Sequence, residues 1–276
     1  MSNESAMSLQ PPDDGVGEIS DAQPNSARMY DYLLGGAANF AVDRDAIADM
    51  QAIFPPAPHY ARSNRGFLTR VVRYLCQHGI DQFLDLGSGV PTVGNVHEIA
   101  HQHTEQARIA YVDHDPVAVR HARRLLDPTE SRVTVTEADL RDPDTVLAAP
   151  GVAGLLDFSR PVAVLAVGVL PFVPGNEARS LMTRYRDHLV PGSYAAVSHL
   201  AQLSMSDEQL AAGLDVMRRT PTPEQARTVD EVRDILHGYH LLEPGIVPVP
   251  EWHPDTTPTQ EESQRSNCVG GLGIQR

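Results

Sequence analysis

Between residues 82 and 200 short apolar runs alternate with helical segments, and this rhythm leaves few folds open to the chain. "QFLDL" (82–86), "RIAYVD" (108–113) and "RVTVTE" (132–137) have strand length, with helical spacing at 95–103 and 116–126 between them. "PVAVLAVGVL" (161–170) is almost continuously apolar, as a central parallel strand buried on both faces requires. The helix "EARSLMTRYRDHL", the strand "GSYAAVSHL" and the helix "SDEQLAAGLDVMRR" extend the pattern. The reading is α/β with a doubly wound, mostly parallel sheet. Its ligand should sit beyond the carboxyl ends of the strands, at the point where strand order reverses.

The flanks read differently. Residues 1–24 are polar, rich in Pro and Gly, and carry five carboxylates without a cation, so a disordered acidic tail is expected. Three helices follow, over "SARMYDYLLGG", "FAVDRDAIADMQAIF" and "ARSNRGFLTRVVRYLCQHG", the last with Gly79 as its cap. They form an N-terminal helical lid over 25–80, ahead of a ligand-binding domain over 81–276. Near the C-terminus, Thr228 and Glu231 form a capping box that opens a helix. "LLEPGIVPVP" and "NCVGGLGIQ" read as the last two strands, and the polar "PDTTPTQEESQRSN" between them as a loop.

Composition excludes several functions. A net charge of −14 argues against a nucleic-acid partner, because gripping phosphates needs a basic face. All 22 basic residues are arginine. A Walker A loop, a PLP Schiff base and any catalytic lysine are therefore out of reach. Cys76 and Cys268 alone support no disulfide framework and no four-cysteine zinc site. With no apolar run of membrane-span length and no signal-like N-terminus, a cytoplasmic protein without a membrane partner is the expectation.

The chemistry concentrates after the first strand. Gly87, Ser88 and Gly89 form a turn between strand and helix, where glycine permits close approach of backbone to ligand. Asp85 precedes the turn. Asp113 ends the second strand beside His114, placed to accept from both hydroxyls of a ribose. Asp139 follows the third strand beside Leu140, placed to take an exocyclic amine of adenine. Asp115, before Pro116, reads as a helix cap. A dinucleotide fingerprint would put glycine where Thr92 stands, and Pro91 removes an amide donor, so the turn suits an adenosyl ligand better than a pyrophosphate. Gly168 lies where the fourth strand meets the ligand.

"FLDLGSG", "YVDHDP" and the "ADL" after the third strand resemble the motifs of class I S-adenosylmethionine-dependent methyltransferases. "ARMYDYLLGG", "NFAVDRDA", "SNRGFL", "LDLGSGVPTVGNVHE", "DFSRPVAVL" and "PGSYAAVSH" are similar to an actinobacterial family of S-adenosyl methyltransferases, long a domain of unknown function. The resemblance spans about residues 24–276. It implies a Rossmann-like, seven-stranded sheet, S-adenosylmethionine as cofactor, and methyl transfer to a small-molecule acceptor. Relatives usually carry Lys-Asp after the double glycine, where this chain has Ala37-Ala38. Two other readings stay open on the residues: a non-catalytic protein that binds S-adenosylmethionine or its demethylated product, and a nicotinamide-dependent oxidoreductase.

"HEIAH" (97–101) matches the zinc-protease pattern, yet the helix carrying it must support the glycine turn and no third ligand follows, so no metal is expected. From the lid, Arg28, Tyr30, Tyr32, Phe40 and Arg65 are candidates to line the cofactor carboxylate or acceptor pocket. Trp252 and the 254–267 loop are further candidates to close over it. His199, at the end of "AVSHL", is a candidate general base or else a structural histidine.

Overall fold

The computed structural model describes residues 22–91, 94–126 and 130–276. The tail over 1–21 and Thr92 lie outside them. Helices α1 (Ser26–Leu33), α2 (Ala41–Ile53) and α3 (Ala57–Gln77) precede the first strand. Then β1 (Gln82–Leu86), α4 (Val96–His103), β2 (Arg108–Asp113), α5 (Pro116–Leu125) and β3 (Val133–Glu137) alternate as the periodicity predicts. Two short helices, α6 (Pro143–Ala148) and α7 (Pro150–Ala153), lead to β4 (Ala163–Val167), α8 (Glu177–Asp187) and β5 (Tyr194–Leu200). The chain ends through α9 (Asp207–Met217), α10 (Val229–Ile235), β6 (His240–Leu241), β7 (Val247–Pro248), α11 (Gln260–Arg265) and β8 (Cys268–Ile274).

The sheet runs β3-β2-β1-β4-β5-β8-β6, with β7 also paired to β8. β1 to β5 are mutually parallel and β8 enters antiparallel to β5. The order reverses between β1 and β4, which opens the crevice there. The sheet has eight strands rather than seven. "LLEPGIVPVP" breaks into two pieces of two residues each, because Pro244 has no N–H to donate and Gly245 turns the backbone at φ 86°.

Side chains alternate across the sheet, so each strand feeds two cores. Leu84, Leu86, Ala110 and Val112 pack with Leu181 and Tyr185 of α8 and Ile235 of α10. Phe83, Ile109 and Leu165 face the other way, onto Phe67, Val71 and Leu75 of α3 and Ile99 of α4. Burying side chains the size of Phe67 or Leu75 contributes roughly 1.5–3 kcal/mol each. α3 therefore belongs to the layer against the sheet. A third, separate cluster joins Met29 of α1, Ala46 and Ile47 of α2, and Val216 and Met217 of α9. This small core holds a cover of α1, α2 and α9 over the crevice.

Local signals explain most boundaries. Asp115 caps α5, accepting from Val117 N at 2.8 Å with Pro116 at the first helical position. Thr228 Oγ1 accepts from Glu231 N at 3.3 Å, and the Glu231 carboxylate accepts from Thr228 N at 2.8 Å, as the capping box requires. The stretch read as a polar loop holds α11, opened by the same device: Thr259 N donates to the Glu262 carboxylate at 2.7 Å. α3 starts at Ala57, directly after Pro55-Pro56, four residues before the sequence reading placed it.

Candidate functional site

One cavity of about 800 Å³ opens beyond the carboxyl ends of β1 to β4, under α1, α2 and α9. That is toward the upper end of the roughly 300–1,000 Å³ usual for small-molecule sites. Its polar half is built from strand ends. Gly87 and Gly89 sit at φ 69° and 64°, a conformation costly for any other residue. A Cβ on Gly87 would stand 2.1 Å from Cγ2 of Val169. The amides of Gly87 and Ser88 donate to the Val112 carbonyl at 2.8 and 3.2 Å, and that of Gly89 to Asp113 Oδ2 at 2.7 Å. All three donors of the turn are thus committed within the protein. A pyrophosphate would find none of them, which gives the exclusion a firmer basis than Pro91 alone.

Each predicted carboxylate reaches this cavity, in a different state. Asp113 is buried, and its Oδ1 also accepts from Asp115 N at 2.8 Å. Burial raises its carboxyl, and the backbone donors of Asp115 and Gly89 oppose the rise. Asp139 is engaged by Arg141, whose Nε donates at 2.9 and 3.0 Å and which holds the carboxyl below its ordinary value. An adenine amine at Asp139 must therefore share it with Arg141. Asp85 has no hydrogen-bond partner among the described residues. Burial pushes it up to about 7, with Arg65 opposing and Asp113 adding to the rise. A buried acid without a partner, facing a cavity beside an arginine, is arranged to meet a ligand's cation. Ser88, His114, Leu140 and Gly168 line the same wall.

Where β4 ends, Gly168 turns at φ 76°, and a Cβ there would meet Asn64 Nδ2 at 2.8 Å. Asn64 is buried on α3. Its Oδ1 accepts from Ser198 Oγ at 2.6 Å and its Nδ2 donates to Tyr30 Oη at 3.0 Å. Tyr30 Oη in turn donates to the Ala61 carbonyl at 3.2 Å. Sequence reasoning singled out Tyr30 but not Asn64. The signal was present: Asn64 is a polar residue on the face of α3 that Ala57, Ala61, Leu68 and Val71 make apolar. Arg65 lines the cavity, lies 5.9 Å from the Tyr30 ring and donates to the Gly94 carbonyl at 3.3 Å.

The second half of the cavity is apolar. Met50 and Phe54 from the end of α2, Leu210, Leu214 and Met217 from α9, and Phe172 after β4 supply its wall. Tyr60 and Glu224 bring polar groups to the same cavity, and sequence reasoning singled out neither.

Five candidates fall outside the cavity wall. Arg28 is buried in an ion pair with Asp43, donating from Nε at 2.7 Å and Nη2 at 3.1 Å, and it locks α1 to α2. Phe40 covers that guanidinium at 4.9 Å, and Tyr32 faces solvent. His199 is fully buried. Its Nδ1 donates to the Leu200 carbonyl at 2.8 Å and its Nε2 accepts from Arg227. Burial lowers it to about 4. Its lone pair is committed to Arg227 and it does not line the cavity, the arrangement of a structural histidine. Trp252 packs edge-on against Phe67 within the α3 core and closes nothing.

The "HEIAH" letters each have a structural use. Glu98 accepts from Asn95 N at 2.8 Å as the helix cap. His97 N and Nδ1 both pair with Tyr111 Oη, and His101 Nε2 donates to the Ala107 carbonyl at 3.0 Å. Among the described residues no group of His, Cys, Asp and Glu is placed to hold a metal.

Comparison with known proteins agrees with this geometry. The sequence pattern of a family described as S-adenosyl methyltransferase matches residues 13–276. A crystal structure from Thermobifida fusca, provisionally named a methyltransferase, is 36% identical, with 92% of this chain and 96% of that one covered and a TM-score of 0.86. A DUF574 family protein from Streptomyces avermitilis is 33% identical, with 92% and 98% covered and the same TM-score of 0.86. A curated protein of Mycobacteroides abscessus, provisionally named an S-adenosyl-L-methionine-dependent methyltransferase, is 39% identical over 87 residues. That match covers 30% of this chain and 27% of the relative.

Proposed function

Because the chain belongs to the S-adenosyl methyltransferase family, we propose that it transfers a methyl group from S-adenosylmethionine to a small-molecule acceptor bound in the apolar half of the cavity. The observation that carries this reading is the convergence of Asp85, Asp113 and Asp139, from three successive strand ends, around a turn with no amide left for a phosphate.

The residues fit the cofactor part by part. Asp113 would hold the ribose hydroxyls through the lone pairs that Gly89 and Asp115 leave open. Leu140 would take the adenine, and Asp139 its amine, shared with Arg141. Asp85 would pair with the ammonium of the amino-acid tail and Arg65 with its carboxylate. The cofactor supplies a sulfonium methyl that leaves readily to a nucleophile in line with the carbon–sulfur bond. The protein's contribution is alignment and exclusion of water, effects of up to ~7–11 kcal/mol when geometry is good. The cover of α1, α2 and α9 serves the exclusion. Arg28 and Phe40 act in this reading as fasteners of that cover, and the lid comprises α1 and α2 with α9 rather than the whole of 25–80. Among the described residues no helix is long and apolar enough to cross a membrane.

A thermal-shift comparison of S-adenosylmethionine, S-adenosylhomocysteine and NAD tests the reading. An adenosyl ligand at 100 times its Kd should add about 2.7 kcal/mol of stability. Stabilisation by NAD without stabilisation by either adenosyl ligand would overturn it.

A further inference from the structure

Among the described residues, Glu224 is the one carboxylate at the cavity wall outside the strand-end turns and their caps. It sits after α9, on a segment fixed from both sides. Ser26 and Thr222 hydroxyls meet at 2.9 Å, and Thr220 Oγ1 donates to the Thr222 carbonyl at 2.9 Å. Gln225 N donates to the Pro171 carbonyl at 3.0 Å, and Arg227 anchors the 170–175 turn through the carbonyls of Leu170, Val173 and Gly175. A backbone this constrained presents its side chain in a set position.

The carboxylate itself has no hydrogen bond and no ion pair among the described residues. Tyr60 of α3 and Cys268 of β8 feel its charge, and neither is a cation. Tyr60 Oη likewise lacks a hydrogen-bond partner there and lines the same cavity. Desolvation alone raises the Glu224 carboxyl to about 7. Glu224 is half-buried at this wall, so its unpaired carboxylate is open to whatever enters the cavity. The neighbouring wall is apolar, and the bond from Gln225 N to Pro171 sets Glu224 next to the turn that follows β4.

Resting on the methyl-transfer reading, we propose that Glu224, which shares the cavity wall with Tyr60, is the acceptor-binding carboxylate. It accepts a hydrogen bond from the O–H or N–H nucleophile of an otherwise apolar small molecule. Transfer forms the bond between that heteroatom and the methyl carbon and breaks the carbon–sulfur bond, whose electron pair stays on sulfur. The heteroatom's proton passes to Glu224 and then to water. An acceptor that reacts through an atom bearing no proton would make no use of this residue.

The test uses the full chain saturated with S-adenosylhomocysteine, and two probes of one shape, 4-propylphenol and its methyl ether 4-propylanisole. Binding is measured by calorimetry or ligand-observed NMR on wild type and on Glu224→Leu, a change that removes the acceptor and breaks no contact in the fold. The phenol should bind wild type at least about tenfold more tightly than the ether, as a hydrogen bond to a charged group provides. In Glu224→Leu the ratio should fall to within about twofold, with affinity for S-adenosylhomocysteine unchanged. A ratio near one on wild type, a preference that survives in Glu224→Leu, or no binding of either probe would overturn the assignment and leave the cofactor reading standing. Failure of S-adenosylhomocysteine to bind wild type would overturn the cofactor reading itself.

Discussion

In the polar half of the cavity every carboxylate stands at the end of a strand or in the turn after it, and Arg65 alone among the groups proposed to hold the cofactor comes from a helix. In the apolar half the wall is gathered from α1, α2, α3, α9, the turn after β4 and the segment around Glu224. The polar half is held by backbone: Val112 and Asp113 take every amide of the glycine turn. The apolar half is held by side chains at long range, through Arg28 to Asp43 and through the small Met29–Ile47–Met217 core. A site of the first kind can stay fixed while the second is rebuilt, so one cofactor can serve many acceptors.

The sharpest way to break this contrast is to unfasten the cover. Arg28→Ala leaves Asp43 buried with only the Asn25 and Phe40 amides, and should cost about 3–5 kcal/mol in a urea titration. Gly87→Ala attacks the other half. The positive φ and the collision with Val169 should together cost about 3 kcal/mol and abolish binding of S-adenosylhomocysteine. Asp113→Ala should weaken that ligand about 100-fold by calorimetry, with a smaller loss of stability.

A proton-linked measurement sharpens the contrast further. A carboxyl raised in the folded chain contributes stability that is full below its ordinary value near 3.8 and is lost as pH rises through about 7. A ligand ammonium at Asp85 reverses the rise, so binding of S-adenosylhomocysteine at about pH 6.5 should release protons. Calorimetry in buffers of different ionisation enthalpy reads the release, and Asp85→Asn should remove most of it. The smallest effect is expected from Leu214→Ala, which trims the apolar wall. It should leave affinity for S-adenosylhomocysteine within about twofold.

The same division decides what could be read from sequence. β1 and β2 were legible to the residue, because parallel central strands are apolar runs bounded by glycine and aspartate. Asp85, Asp113 and Asp139 were legible for a related reason: a strand's end fixes where its last residues stand. Glu224 was not, since a lone acid in "TPTPEQ" carries no period and its meaning comes from Tyr60, 164 positions away in the chain and facing the same cavity. For His199 both readings stayed open in the sequence, because a strand end near the crevice does not say which side of the sheet a side chain takes. Its partner Arg227 gave no local signal either. The break between β6 and β7 was readable in Pro244-Gly245, and α11 in the T-x-x-E of Thr259 and Glu262.

If the strand ends hold an adenosyl ligand and direct its sulfur toward the apolar half, a crystal structure of the complex with S-adenosylhomocysteine will show it. The ribose should lie on Asp113, the adenine against Leu140, the ammonium on Asp85 and the sulfur toward the side of the cavity that holds Tyr60 and Glu224. A ligand seated elsewhere, or one whose sulfur points into the sheet's end with the apolar half behind the adenine, would contradict this arrangement.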